Sequence, residues 1–454
     1  MPIRSVNPVT GDVIASYRAA DEGEIERALA AAERGAGDWR WRSFDERARP
    51  MRDVARLLRA SKVDHARAMA LEMGKPVAQG EAEVEKCAWV CEHYAEHAEA
   101  LLKDAPRATD ASRCFVAFEP LGVVLAVMPW NFPFWQVFRA AAPALMAGNA
   151  MLLKHASNVP ASALAIAKLM RDAGFPNGVF QTLLVGAEAV PRLIDDARIA
   201  AVTLTGSEAA GASVASAAGR AIKKCVLELG GSDPFIVLED ADVAKAACVA
   251  TDARLLNSGQ SCIAAKRFIV VDAVHDAFMS RFTLEMNARR VGDPLARETA
   301  VGPQARRDLR DELHAQVTRS VARGARVVCG GEVPAGPGAF YPATILAAVE
   351  PGMSAFDEET FGPVAAVVRA RDESHAIALA NASRFGLGAS IWTADRARGE
   401  RIARQIEAGC VFVNGLVKSD PRLAFGGIKR SGFGRELDEI GIREFTNIKS
   451  IWIA

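Results

Sequence analysis

The alternation of apolar and polar positions divides the chain into a mainly helical opening and two longer series of strands and helices. Strand-like segments end near Ser16-Tyr17. After them Asp21-Glu22-Gly23-Glu24 has the form of a capping box, and Ile25, Leu29 and Ala32 follow at helical spacing. Two more helices are predicted over 45–73 and 77–102, separated by the break at Gly74-Lys75-Pro76. Between 111 and 128 two short apolar runs flank Glu119-Pro120-Leu121-Gly122 and read as a hairpin or strand pair. From there helices over 134–146, 160–173 and 207–219 alternate with strands at 151–153, 180–185 and 199–205. A second alternating series starts at Pro234-Phe235-Ile236-Val237 and continues to about 424, with helices over 241–256 and 274–289. Alternation at this spacing predicts an α/β protein with parallel sheets covered by helices on both faces. The tail, Glu444 to Ile453, reads as a long apolar strand, an edge that calls for pairing with another subunit.

With 454 residues the chain is too long for one ordinary core, so two or three domains are expected. Lys and Arg number 55, as do Asp and Glu, which leaves no electrostatic case for nucleic acid or an anionic membrane. No apolar run is long enough to span a bilayer, and the first residues lack the apolar core of a signal peptide, so a cytoplasmic protein is expected. Eight irregularly spaced cysteines read as reduced thiols. Cys87, Cys91, His93 and His97 form the one cluster of metal-ligand types. On a helix the two pairs point to nearly opposite sides, so no metal site is expected there.

Three special turns carry the chemistry. Asn257-Ser258-Gly259-Gln260-Ser261-Cys262 delivers a cysteine ahead of the apolar run Arg267 to Val271, where a thiol can sit at the floor of a cleft. A thiolate adds to an electrophilic carbonyl and leaves well from a thioester. Glu228, at the end of Val226-Leu227 and before Gly230-Gly231, stands where a strand stops and a flexible turn begins, a suitable place for a general base. Asn131, in Pro129-Trp130-Asn131-Phe132-Pro133, is held rigidly enough to donate to an oxyanion. Trp135 and Arg139 then fall four apart on one helix face and can present an apolar wall and a guanidinium to a chain ending in a carboxylate. The dinucleotide fingerprint Gly-x-Gly-x-x-Gly is missing. Gly206 and Ser207 stand instead at a strand-to-helix junction that can hold a pyrophosphate, and Lys154 closes a strand within reach of a ribose.

Together these motifs resemble the aldehyde dehydrogenase superfamily over nearly the whole chain. Pro129 to Pro133, Glu228 to Gly231, Gly259 to Cys262, Glu358 to Pro363 and Phe425 to Glu436 fall in that family's order. The resemblance implies two Rossmann-type α/β domains plus a small β oligomerisation flap. The coenzyme domain would span 1–110 and 129–230, the catalytic domain 231–424, and the oligomerisation strands 111–128 and 437–454. It implies Cys262 as nucleophile, Glu228 as base for deacylation and Asn131 as oxyanion donor, with Trp130, Lys154, Gly206, Ser207, Glu359 and Phe361 on the cofactor. Within the superfamily the chain is most similar to short bacterial succinate-semialdehyde dehydrogenases. That group implies Trp135, Arg139 and Ser419 around a substrate carboxylate. Many other relatives carry a further arginine six residues before the cysteine, where this chain has Leu256. Ser157 replaces the glutamate of many NAD-specific relatives, so with Lys154 it is expected to accept the 2′-phosphate of NADP, NAD also being used. A homodimer or homotetramer is expected. Glutarate semialdehyde, an uncharged aldehyde and a thiol-esterase activity remain open.

Overall fold

A computed structural model describes residues 2–454. The capping box forms as expected: Asp21 and Glu24 bond reciprocally and start the helix Glu22–Trp39. The stretch 45–73, read as one helix, is two, Phe44–Ala60 and Lys62–Met73. Ser61 interrupts them with a non-helical backbone, a break that continuous apolar periodicity hides. The fourth helix, Val77–Leu101, starts after Gly74, whose left-handed backbone (φ 77°) ends the one before.

Two separate sheets carry the two alternating series. The first has six strands in the order Gly432–Phe433, Lys224–Glu228, Ile199–Thr205, Val123–Met128, Ala150–His155 and Phe180–Thr182. All of its pairings are parallel except that of Gly432–Phe433. The second has seven strands, with Arg267–Val271 between Pro234–Val237 and Val364–Ala370 at its centre. Both central pairings are parallel, and Arg267–Val271 is buried along its whole length.

The stretch 111–128 is not a hairpin. Arg113–Pro120 runs antiparallel to the terminal strand Thr446–Ile453, whereas Val123–Met128 enters the middle of the six-stranded sheet, between Ile199–Thr205 and Ala150–His155. Gly122, at φ 134°, stands between the two. Of the stretch 111–128 only Arg113–Pro120, with the short Ala105–Pro106 beside it, shares a sheet with the terminal strand, and residues 123–128 belong to the six-stranded sheet. An all-apolar six-residue run suits a buried parallel strand as well as a hairpin limb, and only the fold separates them. In the three-stranded sheet Ile448, Trp452 and Ile453 are exposed.

No helix is long and apolar enough to cross a membrane, and no group of three or more His, Cys, Asp or Glu side chains is placed to hold a metal ion, both among the described residues. Cys87 and Cys91 are buried in the core beneath their helix, while the His93 and His97 rings pack on each other at 4.7 Å.

Candidate active site

The loop before Arg267–Val271 is held from several sides. Asn257 and Ser258 take left-handed backbone (φ 54° and 56°), and so does Gly259 (φ 75°), where an added Cβ would run into the Gly362 carbonyl. Arg254 Nη2 donates to Gly259 O at 2.8 Å and Asn257 Nδ2 to Asn131 O at 2.7 Å. Asn131 Nδ2 donates in turn to Gln260 O at 3.1 Å, which fixes its amide two residues before the cysteine and leaves its second hydrogen for a ligand. Lys266 Nζ donates to the carbonyls of Ser261 (2.9 Å) and Cys262 (2.8 Å). Strained non-glycine backbone persists only where its surroundings over-determine it, and here they do.

Cys262 is half-buried on this loop. Burial pushes its thiol up to about 12, against the fields of Arg139 and Lys266, so the resting group is a thiol and the nucleophile forms only when its proton is taken. Glu228 ends the strand Lys224–Glu228 and is 1 % exposed. Neither carboxyl oxygen has a hydrogen-bond partner among the described residues. Space for it exists because residue 426 is glycine, where an added Cβ would lie 2.7 Å from Glu228 Oε1. Burial raises its pKa well above the carboxylate range. Arg139 opposes that rise and Glu436 adds to it. Burial thus favours its neutral acid form, and its field reaches Cys262 only when it is ionised.

Trp135 and Arg139 lie on the helix Trp135–Met146 as expected, but Arg139 already has partners. Its guanidinium is ion-paired with Glu436, donates to Thr205 Oγ1 at 3.3 Å and lies 4.8 Å from the centre of the Phe425 ring. Ser419 has a different cation: its Oγ accepts from Lys86 Nζ at 2.7 Å. Lys86 also sits 4.1 Å from the centre of the Trp135 ring. His155, the nearest histidine to these motifs in sequence, is no base. It is buried, its Nε2 lies 2.8 Å from Pro133 O, and burial lowers its pKa to about 4.

A cleft of about 650 Å³ opens on Cys262 and is lined by Trp130, Asn131, Gly206, Ser207, Glu359 and Phe361 among others. Ser207 caps the helix Glu208–Arg220, its Oγ accepting from Ala210 N at 3.3 Å, so that helix points its N-terminal amides at the cleft. Trp130 and Phe361 meet edge to face, with centroids 5.7 Å apart. Glu359 accepts from Gly231 N at 2.9 Å and pairs with Lys266 at 3.5 Å, bridging the cleft and the cysteine loop. Lys154 lies on Ala150–His155, in register with Val127 on the strand that feeds the Pro129 turn. It is buried, and no carboxylate oxygen lies within 4 Å of it among the described residues. Ser157 is exposed on the turn that follows. Neither is among the residues that line the cleft; an ammonium without a carboxylate partner and an exposed hydroxyl three residues on have the chemistry that a phosphate needs.

The expected residues thus fall into three groups: Cys262, Asn131 and Glu228 around the thiol, the nucleotide cleft, and the Trp135 wall. Lys86 and Lys266 had escaped notice. Lys86 is one of many charged residues on a long helix, 333 positions from its partner Ser419, and nothing local marks it.

A family model described as "Aldehyde dehydrogenase family" matches residues 1–451. A protein of Synechocystis sp. named probable succinate-semialdehyde dehydrogenase [NADP(+)] is 53 % identical over all of both chains. The Escherichia coli succinate semialdehyde dehydrogenase [NAD(P)+] Sad is 50 % identical over 99 % of this chain and 97 % of its own. Among solved structures, succinic semialdehyde dehydrogenase from Streptococcus pyogenes in complex with NADP+ superposes with a TM-score of 0.97 at 36 % identity, covering 99 % of each chain.

Proposed function

The chain belongs to the aldehyde dehydrogenase family, and from that premise we propose that it oxidises succinate semialdehyde to succinate with NADP as the preferred acceptor and NAD as a second. The observation that carries this reading is that Cys262 and Asn131 line one cleft, with Glu228 at the adjoining strand end close enough to act on the ionisation of the thiol.

Once its proton has passed to solvent, the Cys262 thiolate adds to the aldehyde carbon, and the carbonyl oxygen becomes an oxyanion that the free hydrogen of Asn131 Nδ2 stabilises. When bound in the cleft, a nicotinamide coenzyme would accept the hydride that the adduct gives up on becoming a thioester. Trp130, Gly206, Ser207, Glu359 and Phe361 hold that group, and Lys154 with Ser157 binds its 2′-phosphate. For the second half Glu228 first gives up its own proton to solvent and, as the carboxylate, takes one from water; the hydroxide adds to the thioester carbon, and collapse releases the acid and the thiolate. The neutral resting state of Glu228 keeps the carboxyl from repelling the thiolate before that step. Trp135, Arg139 and Ser419 surround the far end of the substrate. The exposed apolar residues of Thr446–Ile453 support a homodimer or homotetramer.

Steady-state reduction of NADP and NAD with succinate semialdehyde, beside an uncharged aldehyde of similar length, tests the reading. kcat/KM is expected to favour the acid aldehyde by about a hundredfold. Equal values would remove the acid-aldehyde assignment.

A further inference from the structure

One buried cation stands directly beneath the catalytic loop. Lys266 is 0 % exposed and immediately precedes the strand Arg267–Val271. Its backbone already runs in the sheet, with N donating to Asp233 O at 3.0 Å and O accepting from Ala366 N at 2.9 Å. Successive side chains of an extended chain leave on opposite sides. Arg267 accordingly spends its donors on the carbonyls of Ser232, Leu379 and Ala380, whereas Lys266 turns back under the loop. Its Nζ donates to Ser261 O at 2.9 Å, Cys262 O at 2.8 Å and Ala264 O at 3.2 Å, and lies 3.5 Å from Glu359 Oε1.

Every group bonded to that nitrogen among the described residues is an acceptor. Three carbonyls and a carboxylate leave no place for a lone pair, so the group is an ammonium, although burial works to discharge it. Glu359 opposes burial, as does Asp233, and Arg254 assists it. Glu359 also closes a circuit. It accepts from Gly231 N at 2.9 Å, and Gly231 lies so close to the loop that an added Cβ would stand 2.6 Å from Cys262 O. Glu359 and Cys262 line the same cleft. The nucleophile's backbone, the turn that follows Glu228 and the cleft wall are therefore joined through one nitrogen. The thiol feels this arrangement with both signs: against burial, Arg139 from the helix Trp135–Met146 and Lys266 favour its ionisation, while Glu359 and Glu228 oppose it.

We propose that Lys266 is a positioning residue for the catalytic thiol: its ammonium ties the Cys262 backbone to Glu359 and holds a fixed positive charge under the loop, which favours the thiolate both as it attacks and as it leaves. This deepens the function proposed above and rests on it for the chemistry that the thiolate performs. No bond to Lys266 forms or breaks, and no proton leaves it. The charge lowers the cost of a buried sulfur anion, and the Glu359 carboxylate tempers that charge. An uncharged donor at 266 would keep part of the hydrogen bonding and lose the field.

The test is alkylation of Cys262 by iodoacetamide, in which the thiolate displaces iodide, at about pH 8.5 and without coenzyme or aldehyde. It is followed by mass on the Cys262 peptide of wild type, Lys266→Gln, Lys266→Met and Glu359→Gln. The rate follows the thiolate fraction, partly offset by the greater nucleophilicity of a more basic thiolate. It is expected to fall about threefold to tenfold in both Lys266 variants and to rise about twofold in Glu359→Gln, whose carboxamide leaves the field of Lys266 unopposed. A purely structural role would loosen the loop in all three variants and move their rates in one direction. A rate that does not fall in a folded Lys266 variant overturns the proposal, and so does a Glu359→Gln rate that fails to rise. If neither Lys266 variant folds, Glu359→Gln decides alone by the same criterion. Neither aldehyde nor coenzyme is present, so loss of the acid-aldehyde reading leaves this result standing, and failure here leaves that reading standing.

Discussion

The two sides of the catalytic centre are built in opposite ways. On the Cys262 side the backbone carbonyls of Gly259, Gln260, Ser261 and Cys262 all accept bonds from buried side chains, and three consecutive residues are held in left-handed backbone. On the Glu228 side the carboxyl is equally buried, and neither oxygen has a well-formed hydrogen bond among the described residues. Bonded buried groups are the rule, so the thiol side is ordinary in kind and only dense, whereas the Glu228 side needs an explanation. A nucleophile must be in place before the substrate arrives. A base that acts on water later gains from being free to turn and from carrying no charge beside the thiolate until it ionises for that step. The difference suggests that position is built into one residue and timing into the other.

This contrast predicts a graded set of outcomes. The largest effect should follow Cys262→Ala, which removes the reacting atom: NADP reduction should fall by at least about four orders of magnitude, with melting temperature little changed. Asn131→Ala should come next, because it removes the oxyanion donor and also the bond to Gln260. A loss of about two to three orders of magnitude in kcat is expected, with a modest rise in KM. Gly259→Ala probes the rigidity of the thiol side. Its Cβ would meet the Gly362 carbonyl and its backbone is left-handed, so a destabilisation of about 2–4 kcal/mol should appear in denaturant titration.

Glu228→Gln should do the reverse to stability. The folded protein holds the Glu228 proton to higher pH than the unfolded chain does, so ionisation of the unfolded state draws the wild type toward unfolding as pH rises above the ordinary carboxylate range. Glutamine abolishes that term. The melting temperature of the variant relative to wild type should therefore climb between pH 5 and pH 8, and a flat difference would show that Glu228 is ionised in the resting protein.

Much of this contrast was legible before any coordinates, because turns are local. Cys262 lies ahead of a buried strand and Glu228 at a strand end, as the glycine-bearing turns beside them indicated. The capping box at Asp21 was also a local signal that the fold honours. What escaped was non-local or degenerate. Val123–Met128 is apolar throughout, so its pattern could not distinguish a hairpin limb from a central parallel strand. The pairing of Arg139 with Glu436, and of Lys86 with Ser419, joins residues about 300 positions apart, and no spacing rule reaches that far. Arg139 was expected to present its guanidinium to a substrate carboxylate, and its pairing with Glu436 escaped that reading because a guanidinium's partner is decided by what folds against it.

The division of labour between thiol and carboxyl is tested most directly by rapid mixing of Glu228→Gln with succinate semialdehyde and NADP. The account predicts one fast equivalent of NADPH per subunit, followed by a stalled enzyme that carries a succinyl thioester on Cys262, visible by intact-mass measurement after acid quench. Continued turnover at the wild-type rate, or absence of both the burst and the adduct in a folded variant, would contradict it.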